Sequence, residues 1–194
     1  MTFTHFYSDP HFGHANILKH CPNRPYTNIS EMEEDFVKRF NAKVQPEDHV
    51  LFCGDVFFPK KKTDPSEFGR VLERLNGRKS LVIGNHDPSP AVMRQFFEMV
   101  TNQLELVIEG VDCLVCHYPY AYSESYLSQT GIKDKYFHLR PMWVEGRILI
   151  HGHTHSLNKR NGDSIHVGVD AWDLGPASLQ EVSELVKEIQ RGWS

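Results

Sequence analysis

Short apolar runs of strand length recur along the chain and alternate with stretches whose apolar residues return every three or four positions. Thr2 to Ser8, His49 to Cys53, Ser80 to Ile83, Leu104 to Ile108, Cys113 to Cys116, Arg147 to Ile150 and Ser164 to Val169 read as strands. Three helices carry start signals. Ser30 with Glu33 forms a capping box ahead of Met32, Phe36, Val37 and Phe40 on one face. Asp64 with Glu67 repeats the pattern, with Pro65 at the first helical position, Val71, Leu72 and Leu75 as the stripe and Gly77 as the stop. Ser178 with Glu181 begins the last helix, where Val182, Leu185, Val186 and Ile189 face a core and Gly192 ends it. Shorter helices are expected around Ala15 to His20 and Pro90 to Phe97. No repeat or linker interrupts these elements, so residues 1–194 are expected to form one α/β domain. The stretch from Tyr118 to Glu145 breaks the pattern. It is rich in aromatics (Tyr118, Tyr120, Tyr122, Tyr126, Tyr136, Phe137, Trp143) without a sustained period, as expected of a long excursion that lines a site.

Composition narrows the class. Of 194 residues, 40% are hydrophobic and 24% charged, which disfavours a disordered chain. A chain of this length can bury roughly 70% of its unfolded surface and needs no disulfide to hold a core. The net charge of -4 gives no broad basic face of the kind that dominates nucleic-acid binding, leaving room only for a local patch. No run approaches the ~18 apolar residues of a membrane span. Met1 to Asp9 reads as a strand ending in a charged turn, not as a basic and then apolar leader, so a cytoplasmic protein with no membrane partner is expected. Cys21, Cys53, Cys113 and Cys116 lie mostly in apolar runs, which fits reduced thiols. Strand alternation sends Cys113 and Cys116 to opposite faces, so their C-x-x-C is expected to pack and not to bind metal. The departure from an average composition is the 12 histidines, a residue type suited to proton transfer and metal ligation.

The residues at the end of each apolar run account for the excess. Thr2 to Ser8 leads into Asp9-Pro10-His11, His49 to Cys53 into Gly54-Asp55, and Ser80 to Ile83 into Gly84-Asn85-His86-Asp87. Cys113 to Cys116 leads into His117, and Arg147 to Ile150 into His151-Gly152-His153-Thr154-His155. In an α/β domain the carboxyl ends of strands gather at one edge, so ligand-type residues far apart in sequence are expected to converge there. Nitrogen and oxygen donors without thiolate suit Mn, Fe, Zn, Co or Ni. Asp9, His11, Asp55, Asn85, His117, His153 and His155 are too many for one tetrahedral ion and about right for two that share a carboxylate.

These five blocks, in this order, resemble the signature of calcineurin-like metallophosphoesterases, with no departure at a ligand position from residue 9 to residue 155. Val167 to Leu179 is similar to the segment that closes small bacterial and phage members. The resemblance implies a four-layer α/β/β/α sandwich of two mixed sheets flanked by helices. It implies two divalent ions, manganese first among them. Asp9, His11 and His155 would hold one, Asn85, His117 and His153 the other, and Asp55 would bridge them. A hydroxide between the ions would attack phosphorus in line, with His86 donating a proton to the leaving oxygen and Asp87 orienting His86.

Other residues carry less specific signals. His14, just past His11, is a candidate for a phosphate oxygen or for a helix cap, and Arg24 is a candidate bidentate clamp or a solvated loop residue. His151 is expected to pack or to support the ligands from behind, not to ligate. Lys60, Lys61 and Lys62 would favour a polyanionic substrate or simply be solvated. The H-E-x-x-H of zincins is absent, and the late His cluster does not fit a metallo-β-lactamase. The first block and the length both disfavour an amidohydrolase barrel. The expected substrate is a small phosphodiester or a nucleotide. The alternatives are a phosphomonoesterase and a binding module on the same fold whose activity has lapsed. Aromatics of the Tyr118 to Trp143 excursion are expected to stack on a base, with Tyr120, Tyr122 and Tyr126 the ones whose replacement would test it.

Overall fold

The computed structural model describes residues 2–59, 64–131 and 133–193; Lys60, Lys61, Lys62 and the side chain of Tyr126 lie outside the described residues. The chain begins with β1 (His5–Tyr7), α1 (Ile17–His20), α2 (Ile29–Lys43), β2 (His49–Phe52), α3 (Ser66–Leu72), β3 (Arg78–Val82), α4 (Pro90–Met93) and β4 (Met99–Thr101). It continues with β5 (Gln103–Ile108), β6 (Val111–Cys116), α5 (Glu124–Thr130), β7 (Arg147–His151), β8 (Arg160–Asn161), β9 (Ser164–His166), β10 (Ala177–Ser178) and α6 (Leu179–Arg191). Two five-stranded mixed sheets result, ordered β10-β1-β2-β3-β4 and β5-β6-β7-β9-β8. In the first, β1 to β4 are parallel neighbours and β10 is antiparallel to β1. In the second, β6, β7 and β9 are parallel, with β5 and β8 antiparallel at the edges.

Strand alternation assigns each face. Val50 and Phe52 of β2 face a core shared with Met32, Phe36 and Phe40 of α2, Phe68 and Leu72 of α3, and Met93 of α4. Leu51 and Cys53 point the other way, into the core between the sheets, where Cys113, Val115, Ile148, Ile150 and Ile165 meet them. Helix α6 adds Val182, Val186 and Ile189 to that inter-sheet core. The outer face of the second sheet carries a smaller cluster, Leu114, Cys116, Tyr118 and Leu149, against which Tyr120 and Tyr136 pack. The fold is thus the expected α/β/β/α sandwich, with its heavier helical layer on the first sheet. Cys113 and Cys116 face opposite layers, and all four cysteines are buried and free.

Local chemistry accounts for the differences from the sequence reading. Helix α2 starts two residues earlier than the Ser30 box: Asn28 accepts from the Glu31 amide at 2.9 Å, and the Glu31 carboxylate accepts from the Thr27 amide at 3.0 Å. The Ser178–Glu181 box of α6 forms as expected. Helix α3 stops at Leu72, ahead of Gly77, whose φ of +77° instead turns the chain into β3. The aromatic excursion is not wholly irregular, since it contains α5 and a short 3-10 turn over Phe137–Leu139. Strands β8 and β10 have two residues each, too short for a periodic signal. No helix among the described residues is long and apolar enough to cross a membrane.

Candidate functional site

The loops that leave the carboxyl ends of β1, β2, β3, β6 and β7 meet at one edge of the sandwich, tied to one another by backbone hydrogen bonds. The amides of Asp9 and His11 donate to the carbonyls of Gly54 and Asp55, at 3.1 and 3.2 Å. The Gly152 amide donates to the His117 carbonyl at 3.1 Å, and the Val169 amide to the Ser8 carbonyl at 3.0 Å, which links the two sheets. These loops turn in ways side chains resist. Of the eight described non-glycine residues with positive φ, five are Asp9, His11, Asp55, His153 and His155. Each such residue costs of order 1–2 kcal/mol of backbone energy, a cost the surrounding structure must offset and one that clusters at functional sites. Glycines give the space: a Cβ on Gly84 would overlap Asp55, and one on Gly152 would overlap Ser8 and Asp9.

Two groups of ligand atoms form, Asp9 with His11 and His155, and Asp55 with His117 and His153, each with its atoms within 4.8 Å of one another. Asp55 stands between them. Its Oδ2 lies 3.8 Å from His11 Nε2 and 3.3 Å from His117 Nε2, while its Oδ1 accepts the His86 amide at 2.8 Å. The His153 ring nitrogen Nδ1 is 3.3 Å from His117 Nε2. Both ring nitrogens of His11 and the Oδ1 of Asn85 are buried without a protein partner. Burying unpaired polar atoms is costly unless something else satisfies them, so the donor set fits divalent cations of the Mn, Fe, Zn, Co and Ni type.

The electrostatics follow from the packing. Burial drives the His11 ring far below its ordinary value, to about 2, and His153 to about 4. Burial also opposes protonation of His117, but the Asp55 carboxylate outweighs it and raises the ring to about 9. Despite its own burial, Asp55 is held below the usual carboxylate range by His117. His117 Nδ1 donates to the Cys53 carbonyl at 2.8 Å, which leaves Nε2 for the site.

His86 stands at a partly exposed rim beside Asp55 and His11. Its side chain is 37% exposed, its Nε2 lies 4.0 Å from Asp55 Oδ2, and its ring is 5.4 Å from that of His11. Asp87 does something other than orient it. Its carboxylate accepts from the amides of Asp55 at 2.9 Å, Val56 at 2.8 Å, Phe57 at 3.2 Å and Gly84 at 2.9 Å. It therefore clamps the β2 and β3 loops together and fixes Asp55. His14 stacks on Phe58, at 3.8 Å and 8°, and Phe58 lies against His86 at 4.8 Å, so His14 sits at the rim beside His86.

Arg24 is neither a substrate clamp nor a solvated loop residue. It is buried, with Nε and Nη2 forking onto Asp170 at 2.8 Å each, Nη2 also on the Asp9 carbonyl at 2.8 Å and Nη1 on the Pro10 carbonyl at 3.3 Å. Its donors are used up inside the fold. Asp170 is the functional candidate that sequence reading passed over: its Oδ2 lies 2.9 Å from Nδ1 of His155, which turns Nε2 outward. Burial opposes protonation of His155, but Asp170, with Cys21 nearby, raises it to about 10. A lone acid in the apolar stretch Val167-Gly168-Val169-Asp170-Ala171-Trp172 was the available signal, since a carboxylate is rarely buried unpaired. Cys21, His155 and Asp170 also lie close together. Arg24 and Asn23 already occupy the Asp170 oxygens there, so this group supports His155 from behind. His151 packs as expected, its Nδ1 donating to the Gly152 carbonyl at 2.8 Å.

Comparison with known proteins agrees with this geometry. The family model for the calcineurin-like phosphoesterase superfamily domain matches residues 6–182. The chain is 32% identical over 192 residues to an uncharacterized protein of Methanocaldococcus jannaschii, covering 93% of this chain and 89% of that one. It is 30% identical over 210 residues to the gene 66 protein of Mycobacterium phage D29, covering 96% and 97%. The solved structure of a protein of unknown function from Aquifex aeolicus superposes with a TM-score of 0.68 at 27% identity, covering 93% of this chain and 97% of that one.

Proposed function

The chain belongs to the calcineurin-like phosphoesterase superfamily, and from that premise we propose that it is a phosphoric ester hydrolase that works with two divalent ions on a small phosphodiester or nucleotide. The observation that carries this reading is the position of Asp55 Oδ2, 3.8 Å from His11 Nε2 and 3.3 Å from His117 Nε2, between two separate ligand groups. Asp9, His11 and His155 would hold one ion, Asn85, His117 and His153 the other, and Asp55 would serve both. When bound, such a pair supplies Lewis-acid charge at the phosphoryl oxygens and the nucleophile of an in-line displacement.

The chain's own residues do the rest. Asp87 holds the two loops so that Asp55 keeps its place. Asp170 and the Cys53 carbonyl fix the rings of His155 and His117 through their far nitrogens, the outer layer that orients metal-ligating histidines. His86, partly exposed at the rim, would deliver a proton to the departing oxygen. His14 and Phe58 would keep that ring in place.

Elemental analysis of the purified protein, followed by a matrix of bis-p-nitrophenyl phosphate, p-nitrophenyl phosphate and 2′,3′- and 3′,5′-cyclic nucleotides against Mn, Ni, Zn and Mg, tests the reading. Two equivalents of metal with Mn-supported diester hydrolysis is the expected result. A folded, metal-free chain that gains no activity with added manganese would be a lapsed member of the family used for binding.

A further inference from the structure

Beyond the ligand cluster, a cavity of about 810 Å³ opens between the Gly84-Asn85 turn and the aromatic excursion. The cavities beside Thr154 and beside Phe12 measure about 330 and 170 Å³. Asn85, a candidate ligand whose Oδ1 is buried and unpaired, belongs to its wall, so the cavity is continuous with the metal-ligand cluster. The opposite wall is aromatic. The rings of Tyr118 and Tyr136 are 5.4 Å apart, and each also lies against the ring of His153, at 5.1 and 5.3 Å. The third wall is the β4 to β5 connection, where the amide side chains of Asn102 and Gln103 line the space, with Asn102 exposed.

Chemistry restricts the occupant. No aspartate, glutamate, lysine or arginine lines this cavity among the described residues. A highly charged polyphosphate tail would find no counter-charge there other than a protonated His138. An aromatic wall can also receive an alkylammonium group, but that use tolerates no competing cation. Here the ammonium of Lys135 already lies 5.1 Å over the Tyr136 ring. A neutral, planar group with donors and acceptors on its edge matches the combination of tyrosine rings and primary amides. We infer that the cavity receives the base of a nucleoside whose phosphate ester reaches the ligand cluster, with Tyr118 and Tyr136 as its packing surface and Asn102 and Gln103 at its edge. The inference rests on the phosphoesterase reading and narrows its substrate to nucleoside phosphates. It also moves the base away from Tyr120 and Tyr122, which line the smaller cavity beside Thr154.

Binding of adenosine, guanosine, cytidine and uridine 5′-monophosphates is measured by calorimetry and by amide chemical shifts, on the protein with the metal it carries. Methyl phosphate serves as the control that lacks a base. The expected result is that at least one nucleotide binds about tenfold or more tightly than methyl phosphate, a difference of about 1.4 kcal/mol. Its shifts should centre on Asn102, Gln103 and Tyr136. Tyr136→Ala and Asn102→Ala should each bring the ratio to within about threefold, and a thermal melt of each variant excludes a folding defect. Equal affinity for nucleotides and methyl phosphate, shifts centred on Tyr120 and Thr154, or an unchanged ratio in both folded variants would overturn the inference. Metal content of the same samples separates the two readings. A metal-free chain that still prefers nucleotides leaves the base site standing and removes the dimetal hydrolase, whereas a loaded chain without preference does the reverse.

Discussion

Nδ1 of His155 lies 2.9 Å from Oδ2 of Asp170, and Asp170 is in turn gripped by the buried fork of Arg24. The carboxylate thereby fixes the His155 ring through Nδ1 and leaves Nε2 for the ligand group with Asp9 and His11. Asp170→Asn keeps the volume and loses the charge. It should weaken binding of the first ion by about 10- to 100-fold, the usual scale for an outer-layer partner of a ligating histidine. Manganese titration of the metal-free protein reads the effect, and an affinity equal to wild type would remove Asp170 from the site.

Metal uptake should release protons. In the metal-free protein, Asp170 and Cys21 hold His155 at about 10 against the pull of burial, and Asp55 holds His117 at about 9. Both rings therefore carry a proton at pH 7, whereas His11 and His153, at about 2 and 4, do not. A ligating nitrogen must be bare, so filling both positions expels about two protons, one from each raised ring. Affinity should accordingly rise with pH from 7 toward 9 and flatten above 10. Calorimetry in Tris and in HEPES measures the release, and a binding enthalpy that is the same in both buffers would contradict it.

Two variants separate ligation from proton donation. Asp55→Asn disturbs both ligand groups at once and should abolish turnover together with metal content. His86→Ala leaves both groups intact and should lower kcat by about 10²- to 10⁴-fold while elemental analysis finds the metal retained. The loss should shrink for a substrate whose leaving group needs no proton. Near-normal turnover of a diester with a poor leaving group would contradict the donor role.

Sequence and structure differ here in a patterned way. Asp9, His11, Asp55, Asn85 and His117 each come directly after an apolar run, so strand, turn and ligand are read within a few residues. Strand-length apolar runs between amphipathic helices made an α/β domain legible, while the four-layer sandwich was implied only by the resemblance that the ligand blocks carry. Asp87 was visible as a residue but not in its role, because its partners are backbone amides of residues 55–57, which carry no side-chain signature. Arg24 and Asp170 are 146 positions apart, and nothing in the sequence pairs them. Only the packed fold shows that the arginine is internal. Tyr136 likewise gains its position from an excursion without a sequence period.

That internal pairing sets the last expectation. The side chains of Arg24 and Asp170 are both 0% exposed, and the guanidinium also donates to the Asp9 and Pro10 carbonyls beside the first ligand group. Removing Arg24 leaves the buried Asp170 with only His155 and Asn23, and breaking one side of a buried pair costs about 3–5 kcal/mol. For a chain of this size that corresponds to roughly 6–20 °C in Tm. Arg24→Ala should therefore unfold at markedly lower temperature, and Arg24→Lys should recover little of the loss, because a single ammonium cannot reproduce the fork. A substrate clamp would behave in the opposite way, with KM raised and Tm unchanged. Thermal melts of both variants decide between the two. The stability reading also requires that Asp170→Asn be destabilised, since that substitution removes the same pair from its other end.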